Sequence, residues 1–139
     1  MIIAALFAAA LAGAIDPVGL PLGELPPQVL PPQSCALFLW DRASRRRIVM
    51  AVANPATVSV IVDGKPLTFA ATGAGEGDAV MQFAPRRRFG NDTIEISLDL
   101  AITASEGGGA VIRDGTVSFA RRGGDTVVAP VAGLIGCVP

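Results

Sequence analysis

The chain has 139 residues, enough for one domain, and its formal net charge of −1 provides no global field that would steer it towards a polyanion. It contains no histidine and no tyrosine, which removes the commonest general base, the commonest nitrogen ligand of metals and the phenolic acid. Together with an aromatic content of only 5%, these features predict no enzymatic activity, no cofactor, no metal site and no nucleic-acid partner.

The first predicted element is an apolar leader at residues 1–14. Its run from Ile2 to Leu11 has the length of the apolar region of a signal peptide, and the small residues 12–14 suit a cleavage site. The alternative is an uncleaved apolar anchor, but spanning a bilayer takes about 20 apolar residues. The leader therefore predicts a periplasmic or secreted protein that is not an integral membrane protein once the signal peptide is cleaved.

Residues 15–34 are predicted to form a linker, because their prolines disfavour both a helix and a central strand. We interpret the segment as an extended spacer between the leader and the folded domain. The repeated Pro-Pro-Gln step offers an alternative, a docking sequence for a proline-binding module. The prolines are Pro17, Pro21, Pro26, Pro27, Pro31 and Pro32.

Residues 35–139 are predicted to form one all-β domain. Apolar and polar residues alternate most regularly between Thr93 and Thr103, and a period of two is typical of a strand with one buried face. Shorter candidate strands lie at 36–40, 47–53, 58–62, 67–69, 78–83, 110–113, 117–119 and 127–128. Tight turns are predicted at 63–64, 114–115 and 123–124, where Asp-Gly or Gly-Gly separates these runs. The pattern indicates an antiparallel meander of about eight strands, closed as a small barrel rather than folded as a sandwich.

The two cysteines, Cys35 and Cys137, bracket this domain. In an exported chain they are most simply one disulfide, because a metal pair or a catalytic thiol would need a further cysteine or a histidine. The bond would close a loop of about 100 residues and stabilise the fold by about 4–5 kcal/mol. It would also join the first and last strands, which are neighbours in a closed up-and-down barrel.

Eight of the ten arginines fall in three clusters. If the ends of their strands share a rim, the arginines form a local basic patch for an anionic envelope component or an envelope protein. The alternative is that they are solvated strand ends that protect sheet edges. The clusters are Arg45, Arg46 and Arg47; Arg86, Arg87 and Arg88; and Arg121 and Arg122.

A glycine-rich loop at residues 72–78 contributes four further candidate binding residues, Thr72, Gly73, Gly75 and Asp78. It lacks the Gly-Lys-Ser/Thr of a phosphate-binding loop and the ligand spacing of a calcium loop. We therefore interpret it as a connection between strands that also offers binding contacts.

The stretch from Val58 to Gly75, VSVIVDGKPLTFAATGAG, resembles the middle of the periplasmic C-type lysozyme inhibitor family. The family's Ser-Gly-Ser-Gly-x-x-Tyr signature would fall on residues 72–78, where Gly73 and Gly75 match and Thr72 keeps a hydroxyl group. Ala74 and Asp78 stand at the positions of the second Ser and the Tyr. The resemblance implies an exported eight-stranded barrel whose 72–78 loop enters the lysozyme cleft.

Trp40 and the phenylalanines are expected in the core, although Trp40 at a strand end would alternatively stack on a sugar ring. Glu95 and Asp99 share one face of the predicted strand at solvent positions, so they do not indicate a catalytic pair. The leading functional hypothesis is a non-catalytic exported module that binds an unidentified ligand. The alternatives are a lysozyme-inhibitor-like protein and a structural envelope component that associates through sheet edges.

Overall fold

The computed structural model describes residues 20–139, which form nine antiparallel strands and no helix, as the all-β prediction requires. The predicted leader at residues 1–14 lies outside the described residues. The strands are β1 (Leu22–Gly23), β2 (Cys35–Asp41), β3 (Arg47–Ala53), β4 (Ala56–Val62), β5 (Lys65–Ala70), β6 (Arg86–Gly90), β7 (Ile94–Ala104), β8 (Ala110–Arg121) and β9 (Thr126–Cys137).

The strands form one curled sheet in the order β1-β4-β3-β2-β9-β8-β7-β6, with β5 on β4. The two margins of the sheet approach each other after β5, where Ala71 forms a bridge with Phe89 and the Thr72 N–H donates to the Arg88 carbonyl at 3.0 Å. The result is a partly closed barrel, so the predicted barrel is confirmed and the sandwich is not. Neither β6 nor the two-residue β1 is among the candidate strands, and the candidates at 110–113 and 117–119 belong to one strand, β8.

The core lies inside the curl, and the alternation in β7 shows why these residues form strands. Ile96, Leu98 and Leu100 are buried, whereas Glu95 and Asp99, at alternate positions, are exposed. Burial of each such aliphatic side chain stabilises the fold by about 1.5–3 kcal/mol. The largest fully buried side chains are Phe119, Leu37, Leu39, Ile96, Ile112, Val49, Val58, Val60, Val117 and Val131.

The predicted disulfide joins Cys35 and Cys137, which are direct cross-strand partners on β2 and β9. The first long strand therefore lies beside the last one, as the meander predicts. The predicted turns at Asp63-Gly64 and Gly123-Gly124 are also confirmed, and Asp63, Gly64 and Gly123 have positive φ.

Three details of the predicted strands are wrong. Residues 78–83 form a turn rather than a strand, because Met81 and Gln82 adopt left-handed conformations with φ of 50° and 74°. The Asp114-Gly115 step is a bulge within β8 rather than a turn, and a Cβ on Gly115 would lie 2.7 Å from the side chain of Leu100. Residues 86–88, expected to flank a strand, are themselves part of β6.

The described part of the segment predicted as a linker, residues 20–34, packs on the barrel, and we call it the N-terminal strap. β1 pairs with the end of β4, and Leu25 is buried. The Leu25 N–H donates to the Arg47 carbonyl at 2.8 Å, and the Arg47 guanidinium donates to the Pro26 carbonyl at 3.1 Å. Arg47 therefore holds the strap against β3.

Candidate functional site

A groove of roughly 520 Å³ lies on the outer face of β6, β7 and β8. Its floor consists of two cross-strand rows, because residues directly opposite each other on paired strands present adjacent side chains. We call this the polar groove. One row is Arg88, Ser97 and Ser118, and the other is Arg86, Asp99 and Thr116.

The wall of the polar groove is the segment that follows β5, and it is attached to β6 through the backbone. The Thr72 N–H donates to the Arg88 carbonyl at 3.0 Å. The Glu76 N–H donates to the Arg86 carbonyl at 2.8 Å, and the Arg86 N–H donates back to the Glu76 carbonyl at 3.2 Å. These bonds hold the segment as a fixed wall beside the floor.

Gly75 allows the wall to lie this close to the barrel. A Cβ at this position would be 2.3 Å from the Cβ of Ala84, a separation that real side chains do not reach. At Gly73, two residues earlier, a Cβ would meet nothing within 4 Å. Asp78 is exposed and does not line the groove.

Arg87 supports the wall from the inner side of β6. It lies opposite the buried Leu98, and its guanidinium donates to the Gly73 carbonyl at 3.1 Å. Its Nε atom is buried and has no hydrogen-bond partner among the described residues. Arg87 is therefore a structural element of the site, whereas Arg86 and Arg88 present their side chains to the groove.

The groove carries charges of both signs along separate strands. Arg86 and Arg88 on β6 supply cations, and Glu95 and Asp99 on β7 supply carboxylates, with Ser97 between them. The Arg86–Glu76 ion pair, at 3.6 Å, has both side chains more than half exposed, so it contributes little to stability. The arginines therefore remain accessible to a ligand.

The other two arginine clusters lie away from the polar groove. Arg45 and Arg46 are exposed in the β2–β3 turn. Arg121, the last residue of β8, forms an ion pair with Asp63 at 2.8 Å and lies over the Phe119 ring at 5.4 Å. Arg122 is exposed beside it. Of the three clusters, only Arg86, Arg87 and Arg88 line the groove.

The expectation that Trp40 and all the phenylalanines fill the core is wrong for two residues. Trp40 and Phe38 alternate with the buried Leu37 and Leu39, so they lie on the outer face of β2. Their ring centroids are 6.3 Å apart, and the Arg47 guanidinium lies 5.3 Å from the Phe38 ring centroid. The four other phenylalanines in the described part, Phe69, Phe83, Phe89 and Phe119, are buried.

The structure thus brings together two predicted sites that are separate in sequence, the 72–78 loop and the Arg86 to Arg88 cluster. The alternation in the sequence places Glu95 and Asp99 on one face, but no sequence pattern connects them with a groove or identifies the three hydroxyl residues of the site. Alternation alone places Ser97, Thr116 and Ser118 at solvent positions. Only the strand register shows that they align with the arginines.

Between residues 20 and 139, no helix has the length and hydrophobicity needed to cross a bilayer. Over the same range, no three His, Cys, Asp or Glu side chains come together as a metal site requires. No family model, curated protein or solved structure matches the chain significantly. The chemistry of the polar groove is therefore the basis for assigning a function.

Proposed function

We propose that this protein is a non-catalytic exported binding module whose polar groove holds a hydrophilic, charged saccharide. The observation that carries this proposal is the convergence of the 72–76 wall with the Arg88–Ser97–Ser118 and Arg86–Asp99–Thr116 rows in one groove. Its volume of roughly 520 Å³ is in the range of small-ligand sites, about 300–1,000 Å³.

The side chains of the groove favour a ligand rich in hydroxyl groups. Ser97, Thr116 and Ser118 both donate and accept hydrogen bonds, and Glu95 and Asp99 accept them from sugar hydroxyls. The planar guanidinium groups of β6 match a carboxylate or phosphate substituent in a bidentate arrangement. No aromatic ring lines the groove among the described residues, so recognition relies on hydrogen bonds rather than on stacking.

Export is the second part of the proposal. The Cys35–Cys137 disulfide supports an oxidising compartment, because cytosolic thiols are kept reduced. A periplasmic or secreted module would meet charged saccharides of the cell envelope, which agrees with the anionic envelope partner expected from the sequence.

The proposal is tested by titrating the isotopically labelled protein with defined oligosaccharides and following amide chemical shifts. The probes are a galacturonic acid oligomer, a glucosamine oligomer and a neutral glucose oligomer. We expect the galacturonic acid oligomer, whose carboxylates match the arginines, to shift residues 72–76, 86–88, 95–99 and 116–118, and the neutral oligomer to leave them unchanged.

The matched variants are Arg86→Ser/Arg88→Ser and Arg45→Ser/Arg46→Ser. Both remove two exposed arginines, but only the first pair lines the groove, so only the first should weaken binding, by at least about tenfold for two charge-assisted contacts. Arg87 is left intact because it supports the wall. The proposal is wrong if no charged probe binds, or if the shifts lie outside the groove.

Lysozyme is a further probe in the same series, because Thr72, Gly73 and Ala74 are exposed at the margin of the groove. A lysozyme-inhibitor-like protein would slow lysozyme-catalysed clearing of a cell-wall suspension, and the effect would depend on these three residues. Inhibition without binding of any saccharide would replace the proposed function with this second candidate.

A further inference from the structure

The outer face of β9 is apolar and exposed. β9 contains no charged residue, and its outward positions alternate with the buried Ala129, Val131 and Ile135. Val128 and Leu134 on the outer face are 54% and 41% exposed. Exposed apolar residues that are contiguous rather than scattered mark an interaction surface.

The same surface continues onto the neighbouring strands. Phe38 lies opposite Leu134 and Trp40 opposite Ala132, and Val111 of β8 flanks Leu134 on its other side. Neither Phe38 nor Trp40 packs with the core cluster. We call this surface the apolar face; its residues are Phe38, Trp40, Val111, Val128, Ala132 and Leu134.

Arginines lie at one end of the apolar face. The β2–β3 turn, which begins after Asp41, the residue next to Trp40, carries Arg42, Arg45 and Arg46. The Arg42 N–H donates to the Pro130 carbonyl of β9 at 3.1 Å, and its guanidinium donates to the carbonyl of Arg113, in the β8 bulge, at 3.0 Å. We call these four residues, Arg42, Arg45, Arg46 and Arg113, the arginine corner.

The corner is positively charged even though the whole chain is nearly neutral. Its two acidic neighbours are already engaged. Asp41 accepts hydrogen bonds from the backbone N–H groups of Ala43 and Ser44, and Asp114 forms an ion pair with Arg42 at 3.2 Å. No ion pair involves Arg45 or Arg46 among the described residues. These arginines are available to an anionic partner.

We propose that the apolar face and the arginine corner dock the protein on an anionic lipid bilayer. Basic residues near such a surface attract its headgroups, aromatic side chains favour the interfacial region, and buried aliphatic groups add apolar contact. A second copy of the chain would explain the apolar face but not the cations, and a soluble polyanion would explain the cations but not the apolar face. A charged bilayer uses both.

This inference concerns a different surface from the polar groove and stands independently of the proposed function. β8 contributes to both surfaces, with Thr116 and Ser118 in the groove and Val111 in the apolar face. A docked molecule would therefore present the groove beside the bilayer.

The test uses Trp40, the only tryptophan in the sequence, as a probe within the proposed surface. The protein recovered after export, without the predicted leader at residues 1–14, is mixed with vesicles of phosphatidylcholine alone or with added phosphatidylglycerol. We expect co-sedimentation and a blue shift of Trp40 emission with the anionic vesicles only, both weakened by salt because exposed charges are screened.

Two variants separate the charged and apolar contributions. Arg45→Ser/Arg46→Ser should weaken vesicle binding about ten- to thirtyfold, since each basic residue near an anionic surface contributes a factor of about five. Leu134→Ser should reduce the blue shift while leaving the salt dependence in place. The control, Arg86→Ser/Arg88→Ser, should bind vesicles like the parent protein.

Three results would overturn the proposal. They are equal binding to neutral and anionic vesicles, binding without a change in Trp40 emission, and an equal loss of binding in the Arg86→Ser/Arg88→Ser control. A blue shift that appears on concentrating the protein without vesicles would instead identify the apolar face as an interface between two copies of the chain.

Discussion

Single residues decide how the polar groove is built, and Gly75 is the clearest case. The backbone hydrogen bonds at Thr72 and Glu76 fix the wall on β6, but the wall reaches β6 only because Gly75 has no side chain facing Ala84. Arg87 then fills the space on the inner side. These three neighbouring residues thus have two roles, since Arg86 and Arg88 face the groove and Arg87 supports the wall.

We expect Gly75→Ala to loosen the wall, because its Cβ would collide with the Cβ of Ala84. Overpacking of this kind typically costs about 1–3 kcal/mol. Hydrogen exchange of the Thr72 and Glu76 amides should become faster, since both are bonded to β6 only while the wall is in place. Gly73→Ala is the matched control, and similar exchange in both variants would contradict this account.

At the scale of elements, the alternating sequences predicted the strands well where one face is buried. The alternating residues of β7 and the valines of β4 clearly predicted strands rather than helices. Only a period of two places their apolar residues on a single face. The sequence did not predict β6, because the three consecutive arginines at 86–88 show no alternation of apolar and polar residues. Phe89 is the only residue of β6 that is buried. The Asp-Gly step in β8 was wrongly predicted to be a turn, because glycine occurs in both hairpin turns and bulges. Only the close approach of Leu100 to Gly115 distinguishes the bulge from a turn.

The site was predictable in its parts but not as a whole. The 72–78 loop and the Arg86 to Arg88 cluster are visible in the sequence, but their meeting depends on how the curled sheet brings the two segments together. Once the bounds of β2 are known, the alternation along the strand also shows that Phe38 and Trp40 face outwards. The sequence predicted them in the core because large aromatic side chains are mainly buried. The features that the sequence did not predict depend on which residues lie opposite each other on strands that are distant in sequence. No local sequence pattern contains this register.

The pairing of β2 with β9 provides a second prediction at this scale. A Cβ on Gly133 would lie 2.1 Å from the Phe38 carbonyl oxygen, whereas one on Gly136 would have its nearest contact at 3.7 Å. We therefore expect Gly133→Ala to lower the free energy of unfolding by about 1–3 kcal/mol and Gly136→Ala to leave it nearly unchanged. Urea denaturation measures the difference, and equal midpoints for the two variants would refute the close approach of the strands.

At the scale of the whole molecule, the disulfide is the main covalent constraint on a domain of modest size. Cys35 and Cys137 are separated by 102 positions, so the bond restricts the unfolded chain strongly. The strap adds a non-covalent constraint, because Leu25 is buried and Arg47 holds Pro26 against β3. The described part of residues 15–34 is thus part of the fold as well as a connection to it.

Replacing both cysteines by serine should lower the free energy of unfolding by about 4–5 kcal/mol, the chain-entropy estimate for a loop of this length. The measurement is guanidinium denaturation of the variant and of the parent protein with and without reductant. The reduced parent should match the variant. A variant as stable as the oxidised parent would show that β2 and β9 hold together without the bond.

The position of β9 also bears on when the protein folds. Both neighbours of β9 precede it in the chain, β2 by about a hundred residues, so β2 and β8 are not joined until residues 126–137 have been synthesised. Pairings over such separations form slowly, because loop-closure entropy is lost before the contacts form. The barrel would therefore close only once β9 is available, and a chain without β9 would keep an incomplete fold, which suits passage through a translocation channel.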